Sequence, residues 1–134
     1  MPLSVSDLLF WYHEHKREMP WRKTSDVYSI WLSEVMLQQT QVVTVIPYYK
    51  RFLESYPTLR SLADAGEQDV LKLWEGLGYY NRCHNFLKAV REICERYGGT
   101  VPDDPERFSS LPGVGPYTTA AVMSIGYGLA LPVM

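Results

Sequence analysis

The spacing of the apolar residues is the feature that most limits the folds open to this chain. Two stripes have helical spacing, one at Leu8, Trp11, Tyr12 and His15 and the other at Phe86, Ala89, Val90, Ile93 and Tyr97. Strict alternation of apolar and polar residues, which is typical of half-buried strands, is almost absent. The sequence therefore predicts an all-α fold.

Polar residues and prolines set the expected limits of the earlier helices. Candidate caps for the second helix are Thr24, Ser25 and Asp26. This helix is expected to run to about Gln39, and because it is apolar around much of its circumference, we expect it to be buried. Thr40 is expected to cap a third helix, over residues 41–56, with Pro47 near its first turn.

Glycines and capping aspartates set the limits of the later helices. The expected helices cover residues 69–75, ended by the glycines of 76–78; residues 81–97, ended by Gly98 and Gly99; a short segment capped by Asp103 or Asp104 and opened by Pro105; and a last helix from Pro116 to Gly126 or Gly128. Cys83 and Cys94 lie too far apart on one helix to form a disulfide, and their spacing fits no zinc site.

Composition and charge exclude several classes of protein. The chain has 134 residues, of which 46% are hydrophobic and 21% charged, as in a folded domain rather than a disordered one. A net charge of −2 offers no global electrostatic argument for binding nucleic acid. Residues 111–134 carry no charge, but prolines and glycines interrupt them too often for a membrane helix. We expect an intracellular, cytoplasmic protein without a membrane partner.

A glycine-containing turn joins the last two predicted helices. Gly113 and Gly115 suit a turn that needs positive φ or close backbone approach, and the turn leads directly into a helix N-terminus. Free amide groups at such a terminus attract anions, including a nucleic-acid phosphate. A plain helix–helix turn is the alternative.

One carboxylate, Glu34, stands among apolar neighbours on the predicted second helix. Burial would raise its pKa and suit it to act as a general acid. An exposed position, or a role in capping a neighbouring helix, remains open on the pattern alone. Gln38, Gln39 and Gln41 follow it and have amides that suit contacts with base edges.

A tight turn at residues 76–78 places two aromatic residues, Tyr79 and Tyr80, at the start of a helix, with Arg82 nearby. An aromatic ring on a rigid turn can wedge between bases. Core packing is the alternative, and we expect at least one of the two tyrosines to lie in the core.

Four segments, in this order and spacing, resemble the A/G-specific adenine DNA glycosylases of the helix-hairpin-helix glycosylase superfamily. They are Met19-Pro20-Trp21-Arg22, residues 31–41, residues 74–82 and the hairpin at residues 111–118. The resemblance implies a portion of a helix-hairpin-helix glycosylase fold with its six-helix barrel. It also implies removal of adenine mispaired with 8-oxoguanine or guanine in double-stranded DNA, after the adenine is flipped out of the duplex.

The resemblance also assigns roles to individual residues. Glu34 is implied as the acid that protonates adenine, and Tyr117 as a tyrosine near the reacting sugar. The implied DNA contacts are Gln38, Gln39, Tyr79 and the turn residues Gly113, Val114 and Gly115, while Arg22 would line the adenine pocket. In the related branch that also cuts the strand, a lysine occupies the position of Tyr117. The resemblance thus implies a monofunctional glycosylase.

Three parts of the family pattern are missing from the sequence. The second catalytic carboxylate would follow Pro132-Val133-Met134, and the four cysteines that bind a [4Fe-4S] cluster and the C-terminal lesion-recognition domain are also absent. Residues 1–134 are therefore expected to be the N-terminal part of a catalytic domain, with its hairpin at about 105–128. We expect no cofactor or metal within this chain, and little or no turnover by it alone.

Two other readings of the sequence stay open. One is a non-catalytic helix-hairpin-helix module that binds DNA, and the other is a helical scaffold with no nucleic-acid role. No obligate protein partner is evident from the sequence.

Overall fold

A computed structural model describes residues 26–129 and shows seven α-helices there, with no strand among these residues. The helices are α1 (Val27–Leu37), α2 (Val42–Ser55), α3 (Leu59–Ala63), α4 (Glu67–Trp74), α5 (Tyr80–Arg96), α6 (Pro105–Ser109) and α7 (Pro116–Tyr127). The all-α prediction is confirmed. The predicted first helix and the segment around Arg22 lie outside the described residues.

Helix α1 is the centre of the fold. Asp26 caps its N-terminus, because a side-chain oxygen accepts a hydrogen bond from the Tyr28 amide at 3.3 Å and the other accepts from the Ser29 hydroxyl at 3.0 Å. Every residue from position 27 to position 36 is buried. A helix without a polar face needs neighbours on all sides, and α2, α5 and α7 supply them.

Aromatic side chains join α1 to the helices around it. The Trp31 ring meets Phe86 of α5 edge-on at 4.6 Å between ring centres, and Phe108 of α6 in the same way at 5.1 Å. Such edge-to-face pairs add to the burial of apolar surface. A second contact, between Phe52 and Trp74, joins α2 to α4. The hydrophobic core is therefore continuous through the described helices.

The start of α2 differs from the prediction. Gln41, not Thr40, is the N-terminal flanking residue, and no side chain caps the helix. The Thr40 hydroxyl instead donates to the Gln38 carbonyl at 3.3 Å. Pro47 lies in the second turn rather than the first. Pro47 has no amide hydrogen to donate to the Val43 carbonyl one turn earlier. Both residues are exposed, so water can reach that carbonyl.

Helix α3 is absent from the sequence prediction. Thr58 and Ser61 form a capping box in which each side chain bonds the other's backbone amide at 3.1 Å. Only Leu59 and Leu62 of this helix are buried. Two apolar positions in five residues are too few for a helical period to be recognised.

The remaining helix limits agree closely with the prediction. Asp104 caps α6 and Pro105 opens it, while Gly128, with φ at 69°, ends α7. Both predicted glycines follow α5, with φ at 65° and 87°. Cys83 and Cys94 are free thiols, as predicted. No helix within residues 26–129 combines the length and the apolar character that a membrane crossing requires.

Candidate active site

Glu34 lies on α1 and its side chain is buried, with only 5% of its surface exposed. The Gln38 amide nitrogen, one turn further along, donates to its two oxygens at 3.3 and 3.2 Å. Burial raises the pKa of the Glu34 carboxyl to about 7, although hydrogen bonds from Gln38 and Thr118 and the charge of Arg82 favour the ionised form. The carboxyl group can therefore hold or release a proton near neutral pH.

The first turn of α7 forms the other side of this site. The Gln38 amide nitrogen also donates to the Thr118 hydroxyl at 3.1 Å, so one side chain links the carboxylate on α1 to α7. Tyr117 precedes Thr118 and is partly buried. The structure thus brings Glu34, Gln38 and the start of α7 together.

The glycine turn that leads into α7 packs directly on α5. Gly113 has φ at 74°, and a Cβ atom there would lie 2.6 Å from the Cβ of Asn85. Gly115 has φ at −105°, so it does not need the left-handed region. The turn therefore requires glycine at the first of these positions for both conformation and space.

The amides of this turn are not all available to a phosphate. The Val114 amide donates to the Leu111 carbonyl at 3.2 Å and closes the turn. The amides of Gly113 and Gly115 make no backbone hydrogen bond within the described part of the chain. Two of the three amides expected to face a phosphate are thus free to do so, while that of Val114 is occupied within the turn.

Gln39 and Tyr79 share an unusual backbone conformation. Within residues 26–129 they are the only non-glycine residues with positive φ, at 59° and 53°. Both side chains are exposed, Tyr79 to 58%. Residues held in the left-handed region are strained and cluster at functional sites. Both are among the positions that the resemblance implied as DNA contacts.

The prediction that Tyr79 or Tyr80 would lie in the core is wrong, since Tyr80 is also 47% exposed. The Tyr80 hydroxyl accepts a hydrogen bond from the Gly76 amide at 3.2 Å, which holds its ring over the turn. Leu77 and Trp74 are buried in their place.

Arg82 lies close to the two tyrosines in the sequence, and its role is visible only in the structure. Its guanidinium group donates to oxygens near the end of α1 and to the turn before α5. An arginine after two tyrosines is the only signal in the sequence, and it does not reveal partners more than 40 positions away.

A cleft of about 220 Å³ opens between α1, α5 and the glycine turn. Gln38 and Arg82 line it together with Asn85 and Val114. Gln38, which donates hydrogen bonds to the Glu34 carboxylate, therefore also faces this cleft.

No group of three or more His, Cys, Asp or Glu residues in the described chain could hold a metal ion. A [4Fe-4S] cluster is held by four thiolates. Cys83 and Cys94 do not supply them, and burial raises the pKa of the Cys83 thiol to about 12. The described residues thus do not fit such a cluster. Arg22, the expected pocket residue, lies outside the described part.

Comparison with known proteins places this chain in a family. Residues 32–126 match the family described as HhH-GPD superfamily base excision DNA repair protein. The adenine DNA glycosylase of Buchnera aphidicola subsp. Acyrthosiphon pisum (strain APS) is 41% identical over 128 residues, 95% of this chain. Those of Rattus norvegicus and Homo sapiens are 46% and 44% identical, over 90% and 95% of it. The chain spans 37% of the Buchnera protein and 25% of each mammalian one.

Solved structures show the same fold. A thermostable thymine-DNA glycosylase superposes with a TM-score of 0.77 at 31% identity, covering 92% of this chain and 58% of that one. A trapped endonuclease III–DNA covalent intermediate superposes with a TM-score of 0.72 at 23% identity, covering 94% and 62%.

Proposed function

This chain belongs to the HhH-GPD superfamily of base excision DNA repair proteins, and we propose that its residues form part of the catalytic domain of an adenine DNA glycosylase. Its substrate would be double-stranded DNA with adenine opposite 8-oxoguanine or guanine. The enzyme would hydrolyse the bond between adenine and its sugar, without cutting the strand. The buried carboxyl group of Glu34 is the observation that carries this proposal.

Glu34 would act as the general acid. Adenine leaves poorly as an anion, and a proton delivered to the base allows it to depart as a neutral molecule. A carboxyl with a pKa near 7 is partly protonated at neutral pH, so it can supply that proton. Gln38 holds both carboxylate oxygens and would keep the group aimed at the base.

The surrounding residues would bind the DNA around the flipped base. The free amides of Gly113 and Gly115 suit a phosphate, and neutral backbone donors would hold it without reading sequence. Gln39 and Tyr79 would enter the duplex and fill the space that the adenine leaves. Tyr117 would lie near the reacting sugar, and Arg22 would line the adenine pocket.

The test is adenine release from a duplex with adenine opposite 8-oxoguanine, measured under single-turnover conditions in the complete protein that contains these residues. Glu34→Gln should lower the rate at least about a hundredfold, because a general acid contributes that much or more. Duplex affinity should stay unchanged, since the substitution keeps the shape of the side chain. Glu54→Gln, an exposed carboxylate on α2, is the matched control and should release adenine at the wild-type rate.

Release by the Glu34→Gln protein at the wild-type rate would refute the catalytic assignment. Salt-dependent duplex binding by the wild-type protein without any adenine release would instead favour the non-catalytic DNA-binding module. Absence of both would leave only the helical scaffold.

A further inference from the structure

The guanidinium group of Arg82 makes an unusual number of contacts for one side chain. Its Nη1 atom donates to the carbonyls of Val35 at 2.8 Å, Met36 at 3.0 Å and Gln38, and its Nη2 atom donates to the Thr40 hydroxyl and the Gly78 carbonyl, both at 3.2 Å. Arg82 itself lies in the first turn of α5. Three separate elements therefore meet at one charged group.

The contacts on α1 act as a helix cap supplied from outside. The last carbonyls of a helix have no partner within it, and its C-terminus attracts positive charge. Helix α1 has no basic residue in its last turn, and of its last carbonyls Val35 accepts the Gln38 amide and Leu37 the Thr40 amide. Arg82 supplies the positive charge that this end of α1 lacks, a donor for the Met36 carbonyl and a second donor for the Val35 carbonyl.

The contacts on the other side fix the turn before α5. The Gly78 carbonyl accepts from both Arg82 and the Trp74 indole, the latter at 3.1 Å. The guanidinium carbon lies 5.2 Å from the centre of the Tyr79 ring and 5.6 Å from that of Trp74. At this range the charge attracts the ring faces. The exposed Tyr79 ring thus has Arg82 beside it.

We propose that Arg82 is a positioning residue. It holds the loop between α1 and α2, which carries Gln39, against the loop between α4 and α5, which carries Tyr79, so that both side chains enter DNA as one unit. This proposal rests on the function proposed above. Strained backbone persists only where its surroundings hold it, and the two strained residues lie in the two loops that Arg82 joins. The planar guanidinium group has five N–H donors in fixed directions and can bond acceptors on several sides. A lysine ammonium has three donors on a single nitrogen and cannot replace it in this arrangement.

Arg91 provides a matched control on the same helix. Its guanidinium group donates to the carbonyls of Ala63 at 3.3 Å and Ala65 at 2.7 Å, at the end of α3. Like Arg82 it is partly buried and ties α5 to backbone carbonyls of another segment. Its partners lie outside both loops.

Hydrogen exchange tests the lock itself, without reference to DNA. Arg82→Met should speed exchange of the Gln38, Thr40 and Leu77 amides about tenfold, as expected for loss of charge-assisted hydrogen bonds. Arg82→Lys keeps the charge and should give a smaller increase, and it serves as the test if the methionine variant does not fold. Arg91→Met should speed exchange near residues 63–66 and leave both loops unchanged.

Duplex binding then tests positioning. When 2-aminopurine is placed beside an adenine–8-oxoguanine mispair, its fluorescence reports the unstacking of bases that accompanies binding. In the Arg82→Met protein, the ratio of the affinity for mispaired duplex to that for matched duplex should fall about tenfold, with the matched-duplex affinity unchanged. The Arg91→Met protein should keep the wild-type ratio. Unchanged exchange in either loop, a preserved preference in Arg82→Met, or an equal loss in Arg91→Met would overturn the proposal. No preference in the wild-type protein would refute the proposed function, and exchange would still decide whether the lock exists.

Discussion

The Glu34 carboxyl links protein stability to pH. Burial raises its pKa from 4.5 to about 7, so the native state binds this proton more tightly than the unfolded chain does. The resulting stabilisation is complete below about pH 4.5 and is lost as the pH rises through 7. We expect this group to reduce the free energy of unfolding by up to about 3 kcal/mol between pH 5 and pH 8.

Urea unfolding of the wild-type and Glu34→Gln proteins at both pH values measures this contribution. The Gln variant should lack this part of the pH dependence, and its advantage over the wild type should grow towards pH 8. The Glu54→Gln control should follow the wild-type curve. Parallel curves for wild type and Glu34→Gln would show that the carboxylate is not destabilised by burial.

The sequence singles out Glu34, Tyr79 and Tyr80 as candidate site residues, but it does not reveal their environments. Glu34 lies on α1, which is apolar on every side. The spacing of the apolar residues therefore marks no single buried face, and the packing of α7 against α1 decides whether the carboxyl group is buried. Tyr79 and Tyr80 have core-forming chemistry, yet backbone conformation and the hydrogen bond to Gly76 keep both outside. The partners of Arg82 lie across the fold, where no local pattern reaches them.

The hairpin between α6 and α7 should be sensitive to substitution of Gly113. Gly113→Ala places a Cβ atom in the left-handed region and against Asn85, and should destabilise the protein by about 1–3 kcal/mol. Displacement of the turn should also weaken binding to undamaged duplex, measured by fluorescence anisotropy.

Gly98→Ala is the matched control for that substitution. Gly98 has φ at 65° but no atom within 4 Å of the added Cβ position. It should lower stability by the conformational cost alone, about 1–2 kcal/mol, and leave duplex affinity unchanged. Equal losses of affinity in the two variants would argue against a specific role for the hairpin.

Elements with strong end signals were predictable, and those without were not. Asp26, Asp104 and Gly128 act at helix ends as expected because each satisfies backbone groups through local geometry. Thr40 has the chemistry of a cap, but Arg82 competes for its hydroxyl. Helix α3 is too short for a period, and its capping box carries a serine where glutamate or glutamine is the usual signal.

Truncation of Trp31 should destabilise the described part of the fold strongly. This residue joins three helices through its contacts with Phe86 and Phe108, and it is only 1% exposed. Trp31→Ala should lower the free energy of unfolding by about 3–5 kcal/mol through the cavity it leaves. Chemical denaturation followed by circular dichroism measures the loss.

Val43→Ala provides the contrast, since Val43 is 74% exposed on α2. A surface truncation of this kind should change stability by no more than about 0.5 kcal/mol. Similar effects of the two substitutions would mean that Trp31 is not part of a single cooperative core.

The burial of α1 from Val27 to Met36 also has a consequence for biosynthesis. Helix α7, which covers one side of α1, begins about 80 residues after α1 ends. At about 5–20 residues per second, a ribosome needs about 4–16 s to add that length. During this interval the nascent chain carries an apolar segment without its final neighbours, which makes the region around residues 27–37 a natural binding site for chaperones.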